Sequence, residues 1–183
     1  MTLEEVVRSI TPADQNAAAQ AKARWDSIAK PLGSLGALES AVIRMAAITG
    51  TPNVDISKRA VVVMCADNGV VADGVTQTGQ EVTAIVAENM STGDTSVCAM
   101  GRAAGVEIVP VDIGVATPLH GERILQRNIR RGTANLSQGP AMTREEAERA
   151  VLVGVEVARE LCDGGVKLLG TGEMGIGNTT TSS

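Results

Sequence analysis

Arg59-Ala60-Val61-Val62-Val63-Met64-Cys65-Ala66, running directly into Asp67-Asn68-Gly69, is the stretch that decides the fold. Its apolar, largely β-branched residues do not alternate with polar ones. A strand covered on both faces inside a parallel sheet reads this way. Asp-Asn-Gly then closes it with turn chemistry. Two later segments repeat the plan. Residues 106–113 form a second strand that closes on Asp112-Ile113-Gly114. Residues 166–169 form a third, which leads into Gly170-Thr171-Gly172-Glu173-Met174-Gly175-Ile176-Gly177-Asn178-Thr179-Thr180. Between them the spacing predicts one long helix over 80–104 and a second from Thr143 to about Cys162. Thr143-Arg144-Glu145-Glu146 opens that second helix as a capping box. Strand-helix-strand-helix-strand implies right-handed crossovers. The expected class is α/β, a Rossmann-like parallel sheet flanked by helices.

Upstream, the first fifty residues read as helices. Thr11-Pro12 resembles a helix start, and an alanine-rich stretch runs over 13–29. Lys30-Pro31-Leu32-Gly33-Ser34-Leu35-Gly36 interrupts it. Residues 38–48 restart the helix with Leu38, Ala41, Val42, Met45 and Ile48 on one face. The expected division is 1–52, the helical N-terminal part of a small domain, and 53–183, the first half of a larger α/β domain. Only Thr181-Ser182-Ser183 follow the last loop. The chain therefore reads as truncated, with an incomplete sheet that leaves an edge strand and apolar faces for another copy or another chain to cover.

The composition narrows the function. The chain has 183 residues, 44% of them hydrophobic, and a net charge of −5. That acidic balance gives nucleic acid no basic surface. Trp25 is the only aromatic residue, so base-stacking platforms are missing. A bound flat ring has to lie against aliphatic groups, methionine and backbone. Cys65, Cys98 and Cys162 stand apart and read as small buried hydrophobes in a reducing compartment. The single histidine, His120, falls in a polar loop with no ligand cluster, so no metal and no cofactor is expected. Nothing resembles a signal peptide or a membrane span, and the cytoplasm is the expected location.

The last glycine-rich segment carries the strongest chemical signal. Gly170, Gly172 and Gly175 match a dinucleotide pattern, but the acidic partner expected ~20 residues on falls beyond Ser183. Residues 172–179 approach a Walker A loop, with Asn178 where that loop has its lysine. What remains is backbone that can approach a ligand closely, with N–H groups at a helix start that favour an anion. The plain alternative is a tight strand-to-helix turn. Glu173 suits a hydroxyl or azole N–H partner, or acid-base work; it also suits a helix cap. The loop from Asp67 through Asn68 and Gly69 to Thr76-Gln77-Thr78 is longer than a turn requires and offers neutral polar groups. Lys22, Arg24, Arg130 and Arg131 read as solvated, and His120 has no assigned role.

Four segments together resemble one family. They are Lys30-Pro31-Leu32-Gly33-Ser34-Leu35-Gly36-Ala37-Leu38-Glu39, Met64-Cys65-Ala66-Asp67-Asn68-Gly69-Val70, Gly139-Pro140-Ala141-Met142 and Gly172-Glu173-Met174-Gly175-Ile176-Gly177-Asn178-Thr179-Thr180. In this order they resemble the nicotinate-nucleotide–dimethylbenzimidazole phosphoribosyltransferases of cobalamin nucleotide-loop assembly. The resemblance implies transfer of 5-phosphoribose from nicotinate mononucleotide to dimethylbenzimidazole, or to a related azole or phenol. It implies α-ribazole 5′-phosphate as product, inversion at the anomeric carbon and a homodimer. By the same likeness Glu173 is a supporting active-site glutamate, while the family's general base and a site lysine lie beyond Ser183. Met174 would wall the base slot. Gly175, Gly177, Asn178 and Thr179 would frame phosphate and ribose. Asp67, Asn68, Gly69, Gln77 and Thr78 would border the base. Thr78 stands where some relatives have serine, Val86 where some have glutamine, and Asn68 where others have histidine. The 183-residue chain alone is expected to be inactive. The alternatives are a non-catalytic nucleotide-binding fragment or subunit lacking the C-terminal glutamate, and, more weakly, a Rossmann dehydrogenase.

Overall fold

The Val61–Met64 run lies at the centre of the sheet. In the computed structural model, which describes residues 1–183, β1 (Arg59–Ala66) pairs with β2 (Glu107–Gly114) on one side and β4 (Leu168–Met174) on the other. A short β3 (Leu125–Gln126) borders β2, giving the order β3-β2-β1-β4 with every pairing parallel. The strand's side chains divide between two layers. Val63 and Cys65 share a cluster with Ala87 and Met90 of α4 (Glu81–Thr92) and Cys98 of α5 (Ser96–Ala104). Ala60 and Val62 share the opposite cluster with Val153 and Val157 of α6 (Arg144–Asp163). Each fully buried valine contributes about 1.5–3 kcal/mol of transfer free energy. An uninterrupted apolar strand is what this two-sided burial demands. Burial pushes the Cys65 thiol up to about 12, so it stays neutral and packs as a hydrophobe.

Several expectations change. The helix over 80–104 is two helices, because Gly93 takes φ +88 and Thr95 caps α5 by accepting from Cys98 N at 3.4 Å. The third strand does not stop at Leu169. It runs to Met174, which places Gly170 and Gly172 inside the ladder opposite Val61 and Val63. The dinucleotide reading of these glycines is thereby removed. The sheet has four strands, since the polar loop after β2 contributes β3. Cys162 is exposed, unlike Cys65 and Cys98. The capping box at Thr143 is present: its hydroxyl accepts from Glu146 N, and the Glu146 carboxylate accepts from Thr143 N at 2.8 Å. No helix is long and apolar enough to cross a membrane.

The chain divides into two compact units, Met1–Ile56 and Ser57–Ser183. The first holds α1 (Leu3–Arg8), α2 (Gln15–Ser27) and α3 (Ala37–Thr49). Asp14, rather than Thr11, caps α2, accepting from Asn16 N and Ala17 N. The buried faces of α2 and α3 are Ala17, Ala21, Ala46 and Ala47, whereas Leu38 and Ile48 are exposed. Buried Glu39 anchors the loop between these helices, accepting from Lys30 Nζ at 2.7 Å and Leu35 N at 3.0 Å. The Lys30 hydrogen bond, with help from Leu35, holds the Glu39 carboxyl below its ordinary value. A depressed carboxyl stabilises the fold fully above the ordinary glutamate value of ~4.3, and that stabilisation disappears as the pH falls through the lowered value. Lys30 Nζ lies 5.5 Å from the Trp25 ring centroid, which makes Trp25 a local reporter. Acid titration of Trp25 fluorescence is therefore expected to show a transition centred below ~4.3 that Glu39→Gln removes. A midpoint at or above that value refutes the pairing.

Candidate functional site

The strand order turns back at β1 and β4. The path from β1 to β2 passes through α4 and α5 on one face; the path from β2 to β4 passes through α6 on the other. Open α/β sheets bind ligands beyond the carboxyl ends of the strands at such a reversal. The residues leaving β1 and β4 there are Asp67-Asn68-Gly69 and Gly175-Ile176-Gly177.

These two turns are bound to each other. Asn68 Nδ2 donates to the Ile176 carbonyl at 3.1 Å, and Asn68 Oδ1 accepts from Thr181 Oγ1 at 3.2 Å. The N–H of Ile176 donates to Thr83 Oγ1 of α4 at 3.0 Å. Gln80, just before α4, donates from Nε2 to the Asn68 carbonyl at 3.0 Å. Two glycines make the approach possible. A Cβ on Gly175 would collide with the Ala66 carbonyl oxygen, and Gly177 turns the chain at φ +85. One helical turn, α7 (Asn178–Thr181), follows, with Thr179 N donating to Asn178 Oδ1 at 2.8 Å.

Two buried aspartates hold the neighbouring loop. Asp67 is 1% exposed; its Oδ2 accepts from Ala116 N at 2.8 Å, and its Oδ1 has no partner. Asp112, fully buried at the end of β2, accepts at Oδ1 from Val115 N (2.9 Å) and Asn128 Nδ2 (2.7 Å). Arg131 reaches Asp112 Oδ2 at 3.3 Å. Gly69 N donates to Thr133 Oγ1 at 3.1 Å, so the 115–133 loop is tied to the exit of β1. The expectation of freely solvated arginines fails here. Arg131 is half-exposed but serves a buried carboxylate, and Arg130 donates to the Gly132 and Ala141 carbonyls while pairing with Glu146 at 3.2 Å. The Thr143 N–H first, and Arg130 in addition, hold the Glu146 carboxyl below its ordinary value. A cleft of about 130 Å³ beside this ion pair is lined by Ala66, Ile113, Ile129 and Met142.

The expected site residues are distributed unevenly around this framework. Asp67, Asn68, Gly69, Gly175 and Gly177 converge at the two strand ends. Asn178 and Thr179 begin the turn beyond them. Met174 faces the α4 and α5 layer and packs against its core. Glu173 is in register with Met64 and is exposed; strand alternation puts it on the α6 face. Gln77 and Thr78 are exposed, and no hydrogen bond joins them to the β4 turn; instead Thr76 Oγ1 donates to the Thr78 carbonyl at 2.8 Å. Sequence reasoning missed Gln80, Thr83 and Thr133, which supply the cross-links. Thr83 had one signal: a lone hydroxyl within Val82-Thr83-Ala84-Ile85-Val86. The β4 turn itself presents backbone, amide and hydroxyl groups, with the Glu173 carboxylate on the adjacent face, a set that can hold a polar ligand while leaving one acid-base group free.

Comparison with known proteins supplies the family. The DBI_PRT model, described as phosphoribosyltransferase, matches residues 10–183. The nicotinate-nucleotide–dimethylbenzimidazole phosphoribosyltransferase of Clostridium acetobutylicum is 44% identical over 183 residues, covering 100% of this chain and 52% of the relative. The protein of the same name from Acetivibrio thermocellus is 51% identical over 160 residues, 87% of this chain and 46% of the relative. A crystal structure of CobT from Thermus thermophilus superposes with a TM-score of 0.86 at 45% identity, covering 91% of this chain and 50% of that one. The chain spans about half the length of the curated relatives it matches. With a family match through both strands of the crevice and across nearly the whole chain, the protein belongs to the DBI_PRT phosphoribosyltransferase family.

Proposed function

We propose that the protein transfers 5-phosphoribose from nicotinate mononucleotide to 5,6-dimethylbenzimidazole, or to a related lower-ligand base. The product would be α-ribazole 5′-phosphate for the cobalamin nucleotide loop. The observation that carries this reading is the 44% identity to the Clostridium acetobutylicum enzyme across all 183 residues, both crevice turns included. In the reaction the bond from the anomeric carbon to the nicotinate nitrogen breaks, and one to an azole nitrogen forms on the opposite face. Nicotinate leaves readily because its ring nitrogen carries positive charge while bonded. The azole proton must pass to a base, so the protein's tasks are alignment and proton removal.

Within this reading Gly175, Gly177, Asn178 and Thr179 frame the phosphate and ribose. Asp67, Asn68, Gly69, Gln77 and Thr78 border the incoming base, and Met174 supports the slot from the core side. Glu173 assists next to the ribose; the principal base comes from sequence beyond Ser183. The working assembly is a homodimer. The test is a product assay with nicotinate mononucleotide and dimethylbenzimidazole. It is run on the 183-residue chain and on a chain continued to the relatives' length. Ribazole phosphate is expected from the longer chain alone. Its absence across several azoles and phenols overturns the proposal, and saturable nucleotide binding without turnover favours a non-catalytic nucleotide module.

A further inference from the structure

We infer that Thr83 is a positioning residue that sets the nucleotide-holding turn of β4 by fixing the Ile176 peptide. The inference rests on the function proposed above for the place of the nucleotide, but its geometry stands independently. Thr83 is fully buried in the first turns of α4, and its hydroxyl accepts the Ile176 N–H at 3.0 Å across 93 residues of sequence. Asn68 takes the other end of the same residue, donating to the Ile176 carbonyl at 3.1 Å. Both polar backbone groups of Ile176 are thus held by side chains from different elements, one on α4 and one at the end of β1. The flanking Gly175 and Gly177 carbonyls accept from Asn178 N at 3.0 Å and Thr180 N at 3.1 Å, so these two side chains fix the one residue of the turn that its own backbone bonds leave open. α4 buries two hydroxyls, and each accepts a backbone N–H from outside the helix: Ser91 from Arg123 and Thr83 from Ile176; packing alone does not call for the Thr83 hydroxyl, since valine has the same shape.

Thr83→Val removes the acceptor and keeps the volume; Thr83→Ser keeps the acceptor. A turn that holds the nucleotide in both the ground state and the transition state affects KM more than kcat. Losing the Thr83 hydrogen bond weakens a hold made alike in ground and transition states and is expected to raise KM for nicotinate mononucleotide roughly tenfold. Under this expectation kcat and the KM for the base stay within about twofold, and Thr83→Ser recovers the nucleotide KM. The protein continued to the relatives' length is used, and hydrogen exchange at the Ile176 amide is followed in parallel. Faster exchange confined to residues 175–178 in Thr83→Val supports the inference. A lowered melting temperature with an unchanged nucleotide KM overturns it, as does unchanged Ile176 exchange. If the parent protein makes no ribazole phosphate, the proposed function fails, and the exchange result alone decides whether Thr83 sets the turn.

Discussion

Gly175→Ala is expected to lower the melting temperature by roughly 6–12 °C, corresponding to about 3 kcal/mol, and to abolish nucleotide binding. The added Cβ would strike the Ala66 carbonyl oxygen, lie 3.2 Å from the Ala66 carbonyl carbon and sit 3.0 Å from Asn68 Nδ2. Ala66 is the last residue of the central strand, so this neighbour cannot rotate away as a side chain would. Relief requires the end of β4 to part from β1. That movement stretches the Asn68 bond to Ile176, and with it the turn proposed to hold phosphate. Thermal melting and nucleotide titration of the variant check both halves. An alanine variant that melts within about 2 °C of the parent, roughly 0.5–1 kcal/mol, shows that the strands separate freely and sinks the argument.

Asp112→Ala is expected to cost about 3 kcal/mol, because it strands the Val115 N–H and breaks the buried pair with Arg131, while Asn128 Nδ2 and Arg131 Nη1 keep only the Val115 carbonyl as acceptor. Arg131 is half-exposed and can rehydrate, which keeps the loss at the lower end of the range for breaking a buried charge pair. The loop over 115–133 should loosen first, since the Asp112 and Asp67 carboxylates hold its opening residues, Val115 and Ala116. Asp112→Asn keeps an acceptor for Val115 and is expected to lose only about 1–1.5 kcal/mol. Urea unfolding of the two variants gives the comparison. Equal losses would mean that the charge, rather than the acceptor geometry, holds the loop.

How much of this was legible depends on the distance over which each residue is decided. β1 was readable because two-sided burial writes itself into consecutive residues, and α6 because a capping box is local. The far half of β4 was not. Glycine is poor in strands, so Gly170-Thr171-Gly172 reads as loop. Yet a Cβ at Gly170 would lie 3.0 Å from a methyl of Val61, and the existing ladder on β1 recruits the segment regardless. The break between α4 and α5 lies in the run Ser91-Thr92-Gly93-Asp94-Thr95-Ser96, where Gly93 takes φ +88 and Thr95 caps α5. The convergence of Asp67, Asn68 and Gly69 with Gly175 and Gly177 was legible as residue types leaving neighbouring strands. Gln80, Thr83 and Thr133 were not, because their partners come from remote elements and no periodicity encodes such a pairing. Arg131 was misread for the same reason: its fate is decided by a carboxylate buried 19 residues away.

The strand order also dictates a schedule. β1 meets β2 after one crossover, with Ala60 opposite Glu107, but meets β4 only when Leu168 comes opposite Arg59. A ribosome releases these segments in that sequence, so one flank of the most apolar strand remains unpaired through the synthesis of both intervening crossovers. Pairings so remote in sequence close slowly, and an open apolar edge invites other nascent chains. The placement of β1 between its early and late partners leaves that flank open to misassembly until β4 emerges.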